Sequence, residues 1–148
     1  RDLVLDTCNS LARFGVTRFY VVNTGMSTIP PLAEVGKRLA PAVRFAYLNL
    51  EQVLQALPAD LLQQRYGSHA DEHETSLMLH IAPQVVDMSR AVDDGAEGEG
   101  RLSRERGQGT WSRSGVYGQA TLANASKGRA IARELLRHCL EQIEELAR

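Results

Sequence analysis

Apolar residues recur at helical spacing from the start of the chain: Val4, Cys8, Leu11 and Ala12 fall on one stripe, and Gly15 stands where such a helix would close. The next stretch, TRFYVVN (17–23), is β-branched and aromatic and reads as a strand running into the polar loop NTGMST. Pro30 and Pro31 open a second helix with Leu32, Val35 and Leu39 as its buried stripe, and VRFAYLNL (43–50) reads as a second strand. Strand, helix and strand from Tyr20 to Leu48 make a βαβ unit, which predicts a parallel, right-handed crossover.

Beyond Leu50 the pattern breaks into shorter pieces. Residues 50–62 look helical with an interruption at Pro58, and a helix is predicted from about Asp71 to Ile81, stopped by Pro83. A long closing helix runs from roughly Ala123 to Leu146, with Ala132, Leu135, Leu136, Cys139, Leu140, Ile143 and Ala147 on its apolar face. Between them, Ala91 to Gly115 is Gly-rich, charged and nearly devoid of apolar residues. It predicts a surface loop over about 92–114, mobile from Asp93 to Ser112 and cut first by trypsin at Arg101, Arg104 or Arg106. Trp111, the single tryptophan, is expected to anchor that loop in a pocket.

Two clear strands do not make a finished parallel sheet, because such sheets are covered on both faces and use more strands. The pattern therefore predicts one α/β domain over 1–148. It would be a three-layer α/β/α sandwich with a mainly parallel sheet, present as the C-terminal portion of the full domain. The remaining strands would come from an upstream portion or from another chain. Open strand edges and apolar stripes on the first and last helices predict association into a symmetric oligomer.

Charge changes this picture little. The 148 residues carry a formal net charge of −1, which argues against a nucleic-acid partner. No apolar run approaches the roughly 20 residues of a membrane span, and RDLVLDTCNS does not read as a signal peptide. Cys8 and Cys139 lie on apolar stripes without C-x-x-C spacing, so they read as buried thiols of a protein in a reducing cytoplasm.

Candidate chemistry concentrates in YGSHADEHETSLML (66–79). One frame, H-x-x-E-H over His69, Glu72 and His73, is the pattern of an inverted zinc-protease helix. Glu72 would be its general base, and Glu134 or Glu141 would supply a third ligand. That frame needs a helix beginning before His69, whereas Gly67 and Ser68 are loop and cap residues; the plain alternative is a solvated polar face. A longer frame, H-A-x-x-x-E-T-S-x-M-L, pairs His69 with Glu74 and leaves His73 replaceable. In this frame HADEHETSLMLHIAPQVVDMSRA resembles a segment of the creatininase (creatinine amidohydrolase) family. GVYGQATLANASKGRAIARELL resembles that family's G-V-x-G-D-P-T-L-A-T-A-E-K-G passage, and LARFGVTRFYVVN resembles its helix-to-strand entry to an N-G-H-G-G-N loop.

The resemblance implies a creatininase-like fold and a metal-dependent amidohydrolase acting on a non-peptide C–N bond of a small cyclic amide or formamide. It implies His69 as the catalytic proton donor or orienter and Glu74 as a ligand of a divalent metal, Zn or Mn/Fe. It further implies a homo-oligomer, commonly a hexamer. Thr75 and Ser76 then read as supports, and Lys127 and Gly128 as packing residues. The loop here reads Asn23-Thr24-Gly25-Met26-Ser27-Thr28, placing Gly25 where the family has a metal-binding histidine, and no E-x-H-G-x-H-L-P motif occurs, so the ligand set is incomplete. Arg65 and Tyr66 replace the tryptophan and aspartate of creatininase itself, which argues against creatinine as substrate. A loop after a parallel strand remains a good place for a small-molecule substrate, with Asn23, Thr24, Gly25 and Ser27 as its candidate contacts. The other readings are a ligand-binding or assembly subunit with a degenerate metal site, and the H-x-x-E-H protease.

Overall fold

The computed structural model describes residues 1–95, 102–103 and 110–148. They form two compact units, Arg1–Ala56 with Glu134–Arg148, and Leu57–Arg133. The first contains α1 (Asp2–Ala12), β1 (Arg18–Val21), α2 (Ile29–Arg38), β2 (Arg44–Tyr47) and α3 (Leu50–Gln55). The second contains β3 (Gly67–His69), α4 (Glu72–Ile81), β4 (Asp93–Asp94), β5 (Leu102–Ser103), β6 (Thr110–Trp111) and β7 (Tyr117–Gln119). It also holds the start of α5 (Ala125–Ala147), whose residues from Glu134 onward belong to the first unit.

In the first unit β1 and β2 pair in parallel, from Arg18 opposite Arg44 to Val21 opposite Tyr47, as the βαβ reading expects. Ile29 precedes the proline pair that starts α2, where two missing N–H groups cost nothing because the first turn has no acceptors for them. Its stripe of Leu32, Val35 and Leu39 is buried. Val35 and Leu39 join Leu5 and Cys8 of α1 in one core, with Phe19 and Phe45 of the strands packed against it. The last carbonyls of α5 are satisfied by Arg44, which donates to Leu146 O at 3.1 Å and Glu145 O at 2.8 Å. Cys8 and Cys139 are free thiols, the first buried and the second partly so. The apolar face of α5 is not uniformly covered: Leu146 is buried, whereas Leu136 is 61% exposed and Leu140 50%.

The second unit holds what periodicity did not announce, an antiparallel sheet in the order β3-β7-β4. A further parallel pair joins β5 and β6. Gly118 in β7 has φ +149°, and a Cβ there would lie 2.4 Å from Asp71 Cβ, so only glycine lets this strand pass the start of α4. Helices α4 and α5 meet closely at Gly128, where a Cβ would fall 1.8 Å from the Ser76 carbonyl oxygen. Ser76 is fully buried at that crossing and its hydroxyl accepts from Asn124 N at 3.1 Å. The trypsin sites expected at Arg101, Arg104 and Arg106, and most of the loop expected to be mobile, lie outside the described residues.

Candidate functional site

The strand-to-helix passage from Gly67 to Ser76 carries the residues of interest. Strand β3 ends at His69, Ala70 turns the chain with φ +51°, and Asp71 caps α4 by accepting from His73 N and Glu74 N, each at 3.2 Å. A non-glycine residue in the left-handed region is uncommon, and here the helix's first turn holds it. Glu74 Oε2 accepts from Ala70 N, and Thr75 Oγ1 donates to the Ala70 carbonyl at 3.4 Å. Asp71 and Glu74 thus act as a capping-box pair, with the reciprocal bond displaced by one residue. The cap expected at Gly67 and Ser68 is thus corrected: those residues belong to β3, and Asp71 takes the cap, a position its D-x-x-E spacing to Glu74 could have signalled.

This turn brings His69 and Glu74 together, with His69 Nδ1 3.7 Å from Glu74 Oε2, while 58% and 41% of their side chains stay exposed. The His69 ring centroid is 6.3 Å from that of Tyr117, a buried residue of β7. His69 and Tyr117 line a cleft of about 690 Å³ together with Trp111, Ser112, Arg113 and Ser114. Asp94 organises one wall: its Oδ2 accepts from Ser112 Oγ at 3.0 Å and from Ser114 N and Oγ at 2.8 and 2.7 Å, and its Oδ1 from Gly95 N at 2.7 Å. Those hydrogen bonds hold the Asp94 carboxyl well below the usual carboxylate range. Trp111 is half-buried in this wall, at the place where an anchor of the glycine-rich segment was expected.

The H-x-x-E-H frame does not assemble. Glu72 is fully buried, taking Gln63 N at 2.8 Å and Gln64 N at 2.6 Å on Oε2 and the Lys127 ammonium on Oε1. Lys127 Nζ also donates to Leu122 O at 2.8 Å and Gln63 Oε1 at 3.1 Å. The alternative of a solvated polar face does not hold at Glu72 and Ser76 either: both are wholly buried, with this net of donors replacing the water of Glu72 and Asn124 N that of Ser76. His73 turns into Asp71, with Nδ1 2.7 Å from Oδ1. Burial opposes the charged imidazole, yet the bond to Asp71 and the surrounding carboxylates outweigh it and raise the His73 pKa. Asp71 is likewise lowered, burial being overcome by His73 and Gln64. Glu134 and Glu141 are engaged by Arg137 on the surface of α5.

Among the described residues no three His, Cys, Asp or Glu side chains gather as a metal site would require. His69 and Glu74 offer two donors, and one Glu74 oxygen is already engaged by Ala70 N–H. Tetrahedral zinc centres use three or four protein ligands, so this donor set does not hold a metal by itself.

The loop candidates lie in the other compact unit. Asn23 is buried and committed to the loop's own structure: Nδ2 donates to Gly25 O at 2.9 Å and Leu48 O at 3.3 Å, while Oδ1 accepts from Gly25 N and Thr28 Oγ1. Thr24 and Gly25 line a recess of about 350 Å³ beside Asn23, and Ser27 is exposed and outside that lining.

Comparison with known proteins bears on the whole chain. A mycofactocin precursor peptide peptidase of Mycobacterium ulcerans (strain Agy99) is 37% identical over 79 residues, 51% of this chain and 32% of that protein. A Bacteroides fragilis NCTC 9343 protein assigned as a creatinine amidohydrolase has the same fold, with a TM-score of 0.75 at 20% identity over 99% of this chain and 60% of its own. A substituted creatininase of Zn–Zn type gives a TM-score of 0.65 at 21% identity, covering 97% of this chain and 61% of its own. The chain therefore spans about a third of the curated relative and about three fifths of the solved structures. Residues 1–143 match the family described as creatinine amidohydrolase, and with that match the chain belongs to the creatininase family.

Proposed function

We propose that this chain supplies the proton-handling side of an amidohydrolase that cleaves a C–N bond in the cleft beside His69. The observation that carries the reading is the pairing of an exposed His69 with Glu74, 3.7 Å apart, where His69 lines the cleft of about 690 Å³. Such a volume lies within the range of small-ligand sites. Amide cleavage needs a proton delivered to the departing nitrogen, and an exposed imidazole held near a carboxylate is suited to that transfer. Glu74, itself fixed by Ala70 N–H, orients the ring and balances its charge when protonated. Tyr117 supplies the apolar flank.

The substrate class proposed is a small cyclic amide or formamide. The relative named as a peptide peptidase favours a second reading, a peptide bond in the same cleft. A divalent metal, Zn or Mn/Fe, goes with the family reading, Glu74 being its one candidate donor here; no step is routed through it, given the incomplete donor set. The test is turnover by the full-length protein of cyclic amides, formamides and short peptides, followed by liberated amine. Hydrolysis of the first two classes but not the third supports the primary reading, and the reverse supports the second. No turnover of any class would leave the binding or assembly reading.

A homo-oligomer, of hexameric size by family resemblance, is proposed on the exposed apolar stripe of Leu136, Leu140 and Ile143 on α5. Sedimentation of the purified protein as a monomer would overturn that proposal. No helix among the described residues is long and apolar enough to cross a membrane. A cytoplasmic location without nucleic-acid partners remains part of the proposal.

A further inference from the structure

The cleft beside His69 has a charge that amide hydrolysis alone does not explain. Arg113 is exposed and lines it, and among the described residues no acidic side chain does. Two described carboxylates near it are already engaged. Glu74 faces His69 and accepts from Ala70 N, and Asp94 receives four hydrogen bonds from Gly95, Ser112 and Ser114. Arg113 forms no ion pair among the described residues, unlike Arg137, which holds two glutamates on α5. The backbone on both sides of Arg113 is nevertheless fixed, since Ser112 and Ser114 are bonded to the same Asp94 oxygen. Its guanidinium thus springs from a clamped turn, and among the described residues its planar fork of donors is unspent.

We infer that Arg113 is a specificity residue which pairs with a carboxylate of the substrate, one separate from the amide being cleaved. Arg and carboxylate meet through two parallel N–H···O bonds, which fix orientation as well as position. Binding there would hold the substrate in the cleft that His69 also lines, with Trp111 and Tyr117 as further walls. The substrate class narrows accordingly to anionic amides, either a cyclic amide bearing a carboxylate or a short peptide with a free terminal carboxylate. This inference rests on the cleft being the substrate site, and it holds for either reading of the bond cleaved.

Calorimetric binding tests it apart from turnover. The full-length protein is titrated with matched probes, an N-acetyl dipeptide acid and its carboxamide, and with 2-pyrrolidone-5-carboxylate against the corresponding carboxamide. In at least one pair the acid should bind tenfold or more tightly than the amide. Arg113→Gln should remove that preference, while Arg113→Lys should keep a weaker one, since a lysine supplies charge without the fork. His69→Ala should preserve the preference even where it abolishes hydrolysis, which separates failure of the catalytic reading from failure of this one. Equal affinity for acid and amide in both pairs, or a preference that survives Arg113→Gln, would overturn the inference.

Discussion

Replacing Lys127 with methionine isolates a buried ion pair of the second unit. The change keeps most of the side-chain stem but removes an ammonium that serves Glu72, Leu122 O and Gln63 Oε1 at once. Glu72 would remain wholly buried, with only the backbone N–H groups of Gln63 and Gln64 to solvate it. Breaking one side of such a pair typically costs about 3–5 kcal/mol. The two remaining donors place this case near the lower end, about 3 kcal/mol. For a chain of this size that corresponds to a fall of about 10 °C in melting temperature, read by circular dichroism and by the urea midpoint. Glu72→Gln added to Lys127→Met should recover part of the loss, because a neutral amide tolerates burial without a cation. A loss below about 1 kcal/mol for Lys127→Met would refute the reasoning, since that is the magnitude of a solvated surface pair.

Gly128→Ala should destabilise by at least about 3 kcal/mol, because the new methyl meets the Ser76 carbonyl at 1.8 Å and α4 and α5 must part; an unchanged melting temperature would contradict the close crossing. His69→Ala should abolish hydrolysis by the complete protein while leaving metal content, measured by elemental analysis, nearly unchanged; metal lost together with activity would make His69 a ligand. His73, with its raised pKa, contributes stability that is complete below about pH 6.5 and is lost as pH rises through its folded-state value. Asp71, with its lowered pKa, contributes stability that is complete above about pH 4 and lost as pH falls through its folded-state value. Melting temperature against pH should therefore show a decline on the alkaline side that His73→Ala removes, with hydrolysis retained; an unaltered profile would deny the pair its role.

The first unit was legible because its physics is local and periodic. Leu32, Val35 and Leu39 repeat at helical spacing, the proline pair marks where α2 begins, and both β-branched runs became β1 and β2. Helix α4 and helix α5 also fell within two residues of their expected starts. What hydropathy hid was the interior of the second unit. Asp71, Glu72, Ser76 and Lys127 are polar and would be assigned to a wet face, yet each is buried with its water replaced, for Asp71 by the local partners His73, Glu74 and Gln64 and for the other three by partners distant in sequence. The strands β3, β4 and β7 are two or three residues long and include glycine and aspartate, which leaves no alternation to detect. His69 and Glu74 were found through motif resemblance, and their spatial pairing comes from the turn at Ala70, which no spacing rule specifies. Arg113 was passed over because it lies in a charged stretch where any single arginine looks ordinary.

The turn at Ala70 also has a consequence for how such a protein can change over generations. It sets an exposed imidazole, with few contacts of its own, directly beside the buried net of Asp71, Glu72 and Lys127 that holds the unit together. Selection for folding acts on the net and hardly sees the imidazole. On the role proposed for His69, its loss would cost the hydrolysis while sparing the fold, so a lineage carrying this scaffold could lose the proposed chemistry in one substitution and still present the cleft. On the same proposal, regaining it would take a single substitution as well, because the turn that places residue 69 is held by the cap of α4.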